Sequence, residues 1–266
     1  MPADTSHAVL QQPNDPNVTI WRYMDFAKYV ALLRSGTLYF ARLDKMEDAF
    51  EGSLTKAEYE RLEAVARSGE AKGDLPEDWK GRYLDVLLGN SRNMRRSCYV
   101  NCWHMNEHES EAMWRLYSQS SFAIALRSKY NRLRDVLPTG SDGGTYVGPF
   151  LGQVTYADHA SDQLPTGNAL VPVMNKRPSF AHEHECRALI WRPEPDHYLF
   201  HPDPDTLLAD YPVGLDLRVD LGALVDCVTV SPLAPKWFSE SVIDVTNKYE
   251  RGWEVRVSSL AAKPYI

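Results

Sequence analysis

Between Thr19 and Ser258, short β-branched and aromatic runs alternate with helical segments in no regular crossover rhythm. A doubly wound parallel sheet requires a βαβ rhythm. Dinucleotide-binding and P-loop folds require a Gly-rich turn directly after the first strand. Here the first strand, TIWRYM over residues 19–24, runs into Asp25, an N-cap for a helix over 26–34 that stops at Gly36, and a second strand follows over 37–41. The pattern predicts an α+β fold: a twisted, mainly antiparallel or split sheet decorated by helices.

Further strands are expected over 98–103, 122–126, 152–156, 186–191, 214–220, 226–230 and 254–258, with helices over 110–117, 129–136 and 236–249 and a turn at 141–144. Thr55 and Glu58 have capping-box spacing and open a helix to about Arg67. A second helix over 76–88 completes a helical hairpin at about 53–90, which reads as an insertion or a lid rather than part of the sheet. Residues 1–18, rich in Pro, Asn, Gln and Asp, read as a flexible lead-in, leaving 19–266 as one α+β domain.

An apolar fraction of 44% with 24% charged residues is that of an ordinary folded protein with a sizeable core. The formal charge of −7 supplies no global basic field, so nucleic acid and anionic membrane surfaces are not favoured partners. Arg92, Arg95 and Arg96 form the densest basic run, either a solvated helix end or a phosphate patch. The four cysteines follow no secreted framework, no leader pattern opens the chain, and no run approaches membrane-helix length. A cytoplasmic protein with reduced thiols is expected.

Glu183 and Glu185 stand two apart at the entry to the apolar run 186–191, with Arg187 two further on. In an extended chain all three project from one face. Two carboxylates that close repel, and one titrates high unless a cation such as Arg187 intervenes. The plain alternative is a charge ladder on an edge strand. Arg22 lies inside the first strand, where a guanidinium needs an anion: Glu185 in a structural salt bridge, or the phosphate of a ligand.

Trp103, His104, Trp114 and Tyr117 bracket a polar loop between a strand end and a helix start, an arrangement that lines pockets as well as cores. Asp48 and Glu51 in the acidic turn over 43–52 suit a ligand hydroxyl or a cation, or plain solvation. Neither Cys98, Cys102, His104 and His108 nor His182 and His184 have the paired blocks of a structural zinc site, and no metal is expected. No Gly-x-Ser-x-Gly elbow occurs.

Several blocks together resemble a large family of bacterial and phage proteins known as domain of unknown function 2971, over residues 20–260. They are Trp21, Arg22 and Tyr23; Leu38, Tyr39 and Phe40 with a turn ending at Phe50 and Glu51; Cys102, Trp103 and His104 through to Met113 and Trp114; Lys176, Phe180, Glu183, Glu185 and Arg187; and Val230, Ser231 and Pro232 with Trp237. The chain departs from that family in having Glu47, Asp48 and Ala49 where Asn, Asp and Pro are usual, and Phe180 where Trp is usual.

The order of an Arg-bearing strand, a helix, a strand, a later aromatic-walled strand and a Glu-x-Glu is similar to that of ADP-ribosyltransferases with an Arg-Ser-Glu signature. That resemblance implies NAD as substrate. It puts Arg22 on the NAD phosphates, Glu185 beside the oxocarbenium-like ribose, and Glu183 orienting or activating the acceptor. Tyr23, Asp48, Glu51, Trp103, His104, Trp114, Tyr117, Lys176 and Arg187 are the further substrate-binding candidates. The Ser-x-Ser element of that class has no evident counterpart, since Ser97 precedes its strand without the usual neighbours.

Three functional readings follow. One is NAD-dependent ADP-ribosyl transfer or NAD cleavage, in a toxin or phage-defence setting, with a nucleotide-like ligand. Another is a metal-dependent nuclease with Glu183, Glu185 and Asp48 on Mg²⁺ and Lys176 on the scissile phosphate. The third is a non-catalytic ligand- or protein-binding module. Convergence of Glu183, Glu185, Arg22 and Trp103 on one cleft keeps the catalytic readings; Glu183 paired with Arg187 and turned away removes them.

Overall fold

The computed structural model describes residues 3–68, 83–117, 121–138, 146–165, 168–192, 211–249, 251–262 and 264. Strand β1 (Thr19–Asp25) sends Ile20 and Met24 into the main core, while Trp21 and Tyr23 on its other face pack with Met113 and Trp114. Asp25 ends it as an N-cap, accepting from the Lys28 N–H, and opens α1 (Phe26–Ser35). That helix stops at Gly36, whose φ of 66° is left-handed. Strand β2 (Thr37–Arg42) returns, as expected.

The remaining strands are β3 (Cys98–Met105), β4 (Ala123–Lys129), β5 (Val147–Gln153), β6 (Thr155–Tyr156), β7 (Asn175–Lys176), β8 (Glu185–Trp191), β9 (Gly214–Arg218), β10 (Cys227–Val230) and β11 (Glu254–Val257). One open sheet runs β11–β10–β4–β1–β3–β2–β9, with β8 and β5 joined to it through β3. Its pairs are antiparallel except β10 with β11, while β6 and β7 form a separate parallel pair. The fold is α+β with a mainly antiparallel sheet.

Strand β3 is the branch point. β8 pairs with it from Cys98 to His104, whereas β2 pairs only at Tyr99 and Val100 and β1 only at His104 and Met105. Asn101, Cys102 and Trp103 therefore have no strand partner beside β1 and β2, which diverge there: β1 continues along β4, β2 along β9. The split lies between the two strands that α1 connects.

The described helices are α1, α2 (Lys56–Ser68), α3 (Tyr83–Ser97), α4 (Glu111–Tyr117), α5 (Tyr130–Val136), the short α6 (Leu221–Leu224) and α7 (Lys236–Lys248). Tyr29 and Leu33 of α1 and Phe238 and Val242 of α7 bury against Ile124, Leu126, Val228 and Val230 of the sheet. That apolar layer anchors the β1 side of the split.

Some elements differ from the sequence reading. Helix α3 runs to Ser97 rather than 88, so Arg92, Arg95 and Arg96 belong to its last turns. The part expected over 76–82 and the turn at 141–144 lie outside the described residues. Strand β5 begins at Val147, not 152, because Gly148 and Pro149 hide its start. The lead-in, from Ala3 onward, is laid along β5: Asp4 bridges Phe150, Gln11 bridges Gln153, and Ala3 and Leu10 are buried. It covers an edge that β8 leaves open.

Candidate functional site

A cleft of about 600 Å³ opens at the split, with Arg22, Trp103, His104, Tyr117, Glu183 and Glu185 among its lining residues. Helix α1 forms part of its rim through Lys28, Leu32 and Ser35. The residues expected to converge, Glu183, Glu185, Arg22 and Trp103, do line one cavity.

Its charged floor is the Glu183 and Glu185 side of a cluster built by β7, β8, the 3-10 turn Pro178–Glu183 and the acidic turn; Lys176, Arg187 and Glu51 stand behind it and are not among the lining residues. Strand β8 starts at Glu185, so Glu183 is not on the same extended face as Glu185 and Arg187. His184 between them takes φ 39°, in the left-handed region. Across that reversal both carboxylates reach one ammonium: Lys176 Nζ lies 2.6 Å from Glu183 and 3.1 Å from Glu185, and 3.2 Å from Glu51. Arg187 Nε lies 2.7 Å from Glu185 and its Nη2 lies 2.7 Å from Glu51, while Nη1 donates to the Val173 carbonyl at 2.6 Å. Glu183 thus pairs with Lys176, not with Arg187.

This cluster of three carboxylates and two cations is dry: the side chains of Lys176, Glu51 and Glu185 are 3% exposed and that of Arg187 0%. Burial alone would push the Glu185 carboxyl up, but Arg187 and Lys176 hold it down to about 2, so it is ionised at neutral pH. Burial wins at Glu183, whose carboxyl is raised despite Lys176. Burial also opposes the charge on Lys176, yet Glu185 and Glu51 hold its ammonium above the usual lysine range. The Tyr156 hydroxyl accepts from the Glu185 N–H at 3.1 Å.

Arg22 does not pair with Glu185, and the register explains it. Trp21 lies opposite His104, and His104 opposite Glu185, so Glu185 shares a face with Trp21 and Tyr23 while Arg22 projects the other way. The Arg22 guanidinium sits 5.9 Å from the Trp103 ring centroid, and its Nη2 donates to the Tyr39 carbonyl at 3.3 Å. Its buried Nη1 has no hydrogen-bond partner, and no carboxylate pairs with it among the described residues. Burial lowers its pKa to about 10, which leaves it cationic at neutral pH.

His104 is buried, its Nδ1 facing the Glu183 carbonyl. A carbonyl only accepts, so Nδ1 carries the hydrogen and Nε2 offers a lone pair. Nε2 has no partner, and burial lowers the ring's pKa. Tyr23 packs edge-on to Trp114 at 4.9 Å and donates nothing there; its hydroxyl accepts from the Ser110 N–H. Trp114 is buried behind Tyr23, whereas Tyr117 lines the cleft, so the two divide core from wall.

Asp48 is not available to a ligand: its carboxylate holds Arg177 at 2.7 Å. Glu51 and Lys176 are likewise occupied within the cluster. The ammonium of Lys176 stands among Glu51, Glu183 and Glu185, where a nuclease's divalent cation would have to bind, and it does not face a scissile phosphate. Among the described residues no group of three or more His, Cys, Asp or Glu side chains is placed to hold a metal ion. No described helix is long and apolar enough to cross a membrane. Sequence reasoning missed Tyr156 and Arg177, neither of which carries a local signal, and it placed Tyr39 in a motif without assigning its carbonyl to Arg22.

No family model matches the chain, so the resemblance to domain of unknown function 2971 stands on its motifs alone. No curated protein matches it at a significant level. Among solved structures it is similar to Thermus sp. 2.9 DarT in complex with ADP-ribosylated ssDNA, at 10% identity and a TM-score of 0.37, over 93% of this chain and 95% of that one. It is similar to the same protein in complex with carba-NAD+ at 10% identity and a TM-score of 0.34, over 92% and 96%. At that degree of superposition and identity, no chemistry transfers to this chain.

Proposed function

We propose that the cleft binds NAD and that the protein consumes it, as an ADP-ribosyltransferase or NAD glycohydrolase. One observation carries this reading: an ionised Glu185 and a raised-pKa Glu183 line the same cleft as a guanidinium that lacks an anion. Arg22 binds the diphosphate. The bond from nicotinamide N1 to ribose C1′ breaks, nicotinamide leaves with the bonding pair, and the positive charge on the ribose develops beside Glu185. A fixed anion in a dry site stabilises such a cation far more than solvent does. Water or an acceptor then bonds to C1′, and its proton passes to Glu183, which burial makes the better base of the two.

A second reading rests on a specific observation as well. Both oxygens of Glu185 are already engaged, one by Arg187 and the other by Lys176, which suits a purely structural carboxylate in a non-catalytic binding pocket.

Nicotinamide release from NAD by the purified protein, with and without cell lysate as acceptor source, separates the two. Release is expected, and to fall on the order of 100-fold in Glu185→Gln. Arg22→Ala is expected to raise the NAD concentration needed for half-maximal rate, with its thermal unfolding midpoint nearly unchanged. Normal turnover by Glu185→Gln, or neither release nor NAD-induced thermal stabilisation in the wild type, removes the catalytic assignment.

A further inference from the structure

A second cleft, of about 670 Å³, lies away from the split, between helices α2 and α3 and the loop that carries His159. It is independent of the NAD reading. Three features define its chemistry. Lys56, Arg92 and Arg177 face it with a single carboxylate, Asp158, among its lining residues. Arg177 is tied to Asp48, and Lys56 reaches Glu60 only at 3.7 Å on the surface, while Arg92 has no ion pair among the described residues. The side chain of Asp158 is turned to its own loop, accepting from the Ala160 N–H.

His159 is the second feature. The residue is 6% exposed, yet neither ring nitrogen has a hydrogen-bond partner. A buried imidazole in that state is costly, and whatever fills the cleft completes it. One nitrogen offers an N–H and the other a lone pair, so a fitting ligand carries a donor as well as acceptors. A sugar hydroxyl next to a phosphate ester does this; inorganic phosphate also carries a donor, but it leaves the wall of the cleft uncovered.

The third feature is the wall. Tyr59 and Phe50 are 41% and 45% exposed, large values for aromatic rings, with Leu54 and Leu88 beside them. Arg177 lies 4.3 Å from the centre of Phe50 and His159 5.7 Å from it, which leaves Tyr59 the freer ring for a planar ligand. An anion, a hydroxyl-bearing linker and a flat ring are together the parts of a nucleoside monophosphate. We propose that this cleft is a nucleotide site: phosphate on Arg92 and Lys56, sugar hydroxyl on His159, base against Tyr59.

Titration calorimetry with AMP, GMP, CMP and UMP, and with adenosine and inorganic phosphate as partial ligands, tests this on the full chain. Arg22→Ala serves as background, so that binding in the split cleft is weakened at the outset. At least one monophosphate is expected to bind at least about tenfold more tightly than either partial ligand, and to lose about tenfold in each of Arg92→Ala and Tyr59→Ala. Both residues are exposed, so the variants fold; His159→Gln gives a third point. No binding of any monophosphate, equal binding of inorganic phosphate, or affinity unchanged in the Arg92→Ala, Tyr59→Ala double variant each overturns the site. None of those results bears on nicotinamide release.

Discussion

The two walls of the split cleft treat buried charge in opposite ways. Around Lys176 and β8, three carboxylates and two cations satisfy one another, with both Glu185 oxygens and all three Arg187 nitrogens engaged. Around β1 and β3, Arg22 Nη1 and His104 Nε2 are just as hidden and have no partner. A completed network holds its shape whether or not a ligand is present, and one half of the cleft is therefore a rigid electrostatic floor. A guanidinium without an anion, its Nη1 unmatched, and an unmatched lone pair are finished only by something that enters. The difference separates charge that builds the site from charge that waits for a substrate.

The same substitution on each wall should have very different costs. Arg187→Met leaves Glu51 and Glu185 sharing only Lys176 in a dry interior, and is expected to destabilise the fold by about 3–5 kcal/mol. Arg22→Met removes one hydrogen bond to Tyr39 and the orphaned Nη1 amino group, and is expected to cost about 1 kcal/mol or less. Urea unfolding of both variants reads the difference. Equal losses would mean that Arg22 is as structural as Arg187, and a Glu185→Gln, Arg187→Met double variant should recover part of the larger loss.

Acid sharpens the same contrast with a smaller effect. The Glu185 carboxyl is held at about 2 in the folded chain, below its unfolded value, so the folded state binds fewer protons there. Its contribution is complete above about pH 4.5 and drains as pH falls toward 2. Glu183 runs the other way: burial raises its pKa, so its share is greatest at low pH and is lost as pH rises through the folded value. Urea midpoints between pH 6 and pH 2.5 should therefore fall more steeply in the wild type than in Glu185→Gln. Parallel curves would show that Glu185 is not held down by the floor.

How much of this the sequence revealed follows the range of the interactions. The Thr55 and Glu58 capping box, with N–H contacts of 2.9 and 3.3 Å, and the Asp25 to Gly36 helix were legible because caps are local. The Glu-x-Glu-x-Arg spacing pointed to the floor, but Glu51 sits 136 residues from Arg187 and no spacing rule joins them. His184 at φ 39° was invisible too, and it changes how Glu183 meets Lys176. The Arg22 to Glu185 pairing failed because face depends on register, and register comes from strand neighbours. Helix α3 outran its expected end at 88: local propensity is a weak prior, and the added turns bury Asn93 and Ser97.

The smallest expected effect is the most direct control on what makes the floor matter. On α4, beside the cleft, Arg115 meets Glu111 at 2.6 Å, the same distance as Lys176 to Glu183, but these side chains are 78% and 65% exposed. Water screens such a pair and holding two long side chains together costs entropy, so Arg115→Ala should change stability by no more than about 0.5 kcal/mol. Urea unfolding at low and moderate salt measures it. A loss approaching that of Arg187→Met would show that short pairing alone, not burial, carries the energy, and the contrast between the two walls would then lose its physical basis.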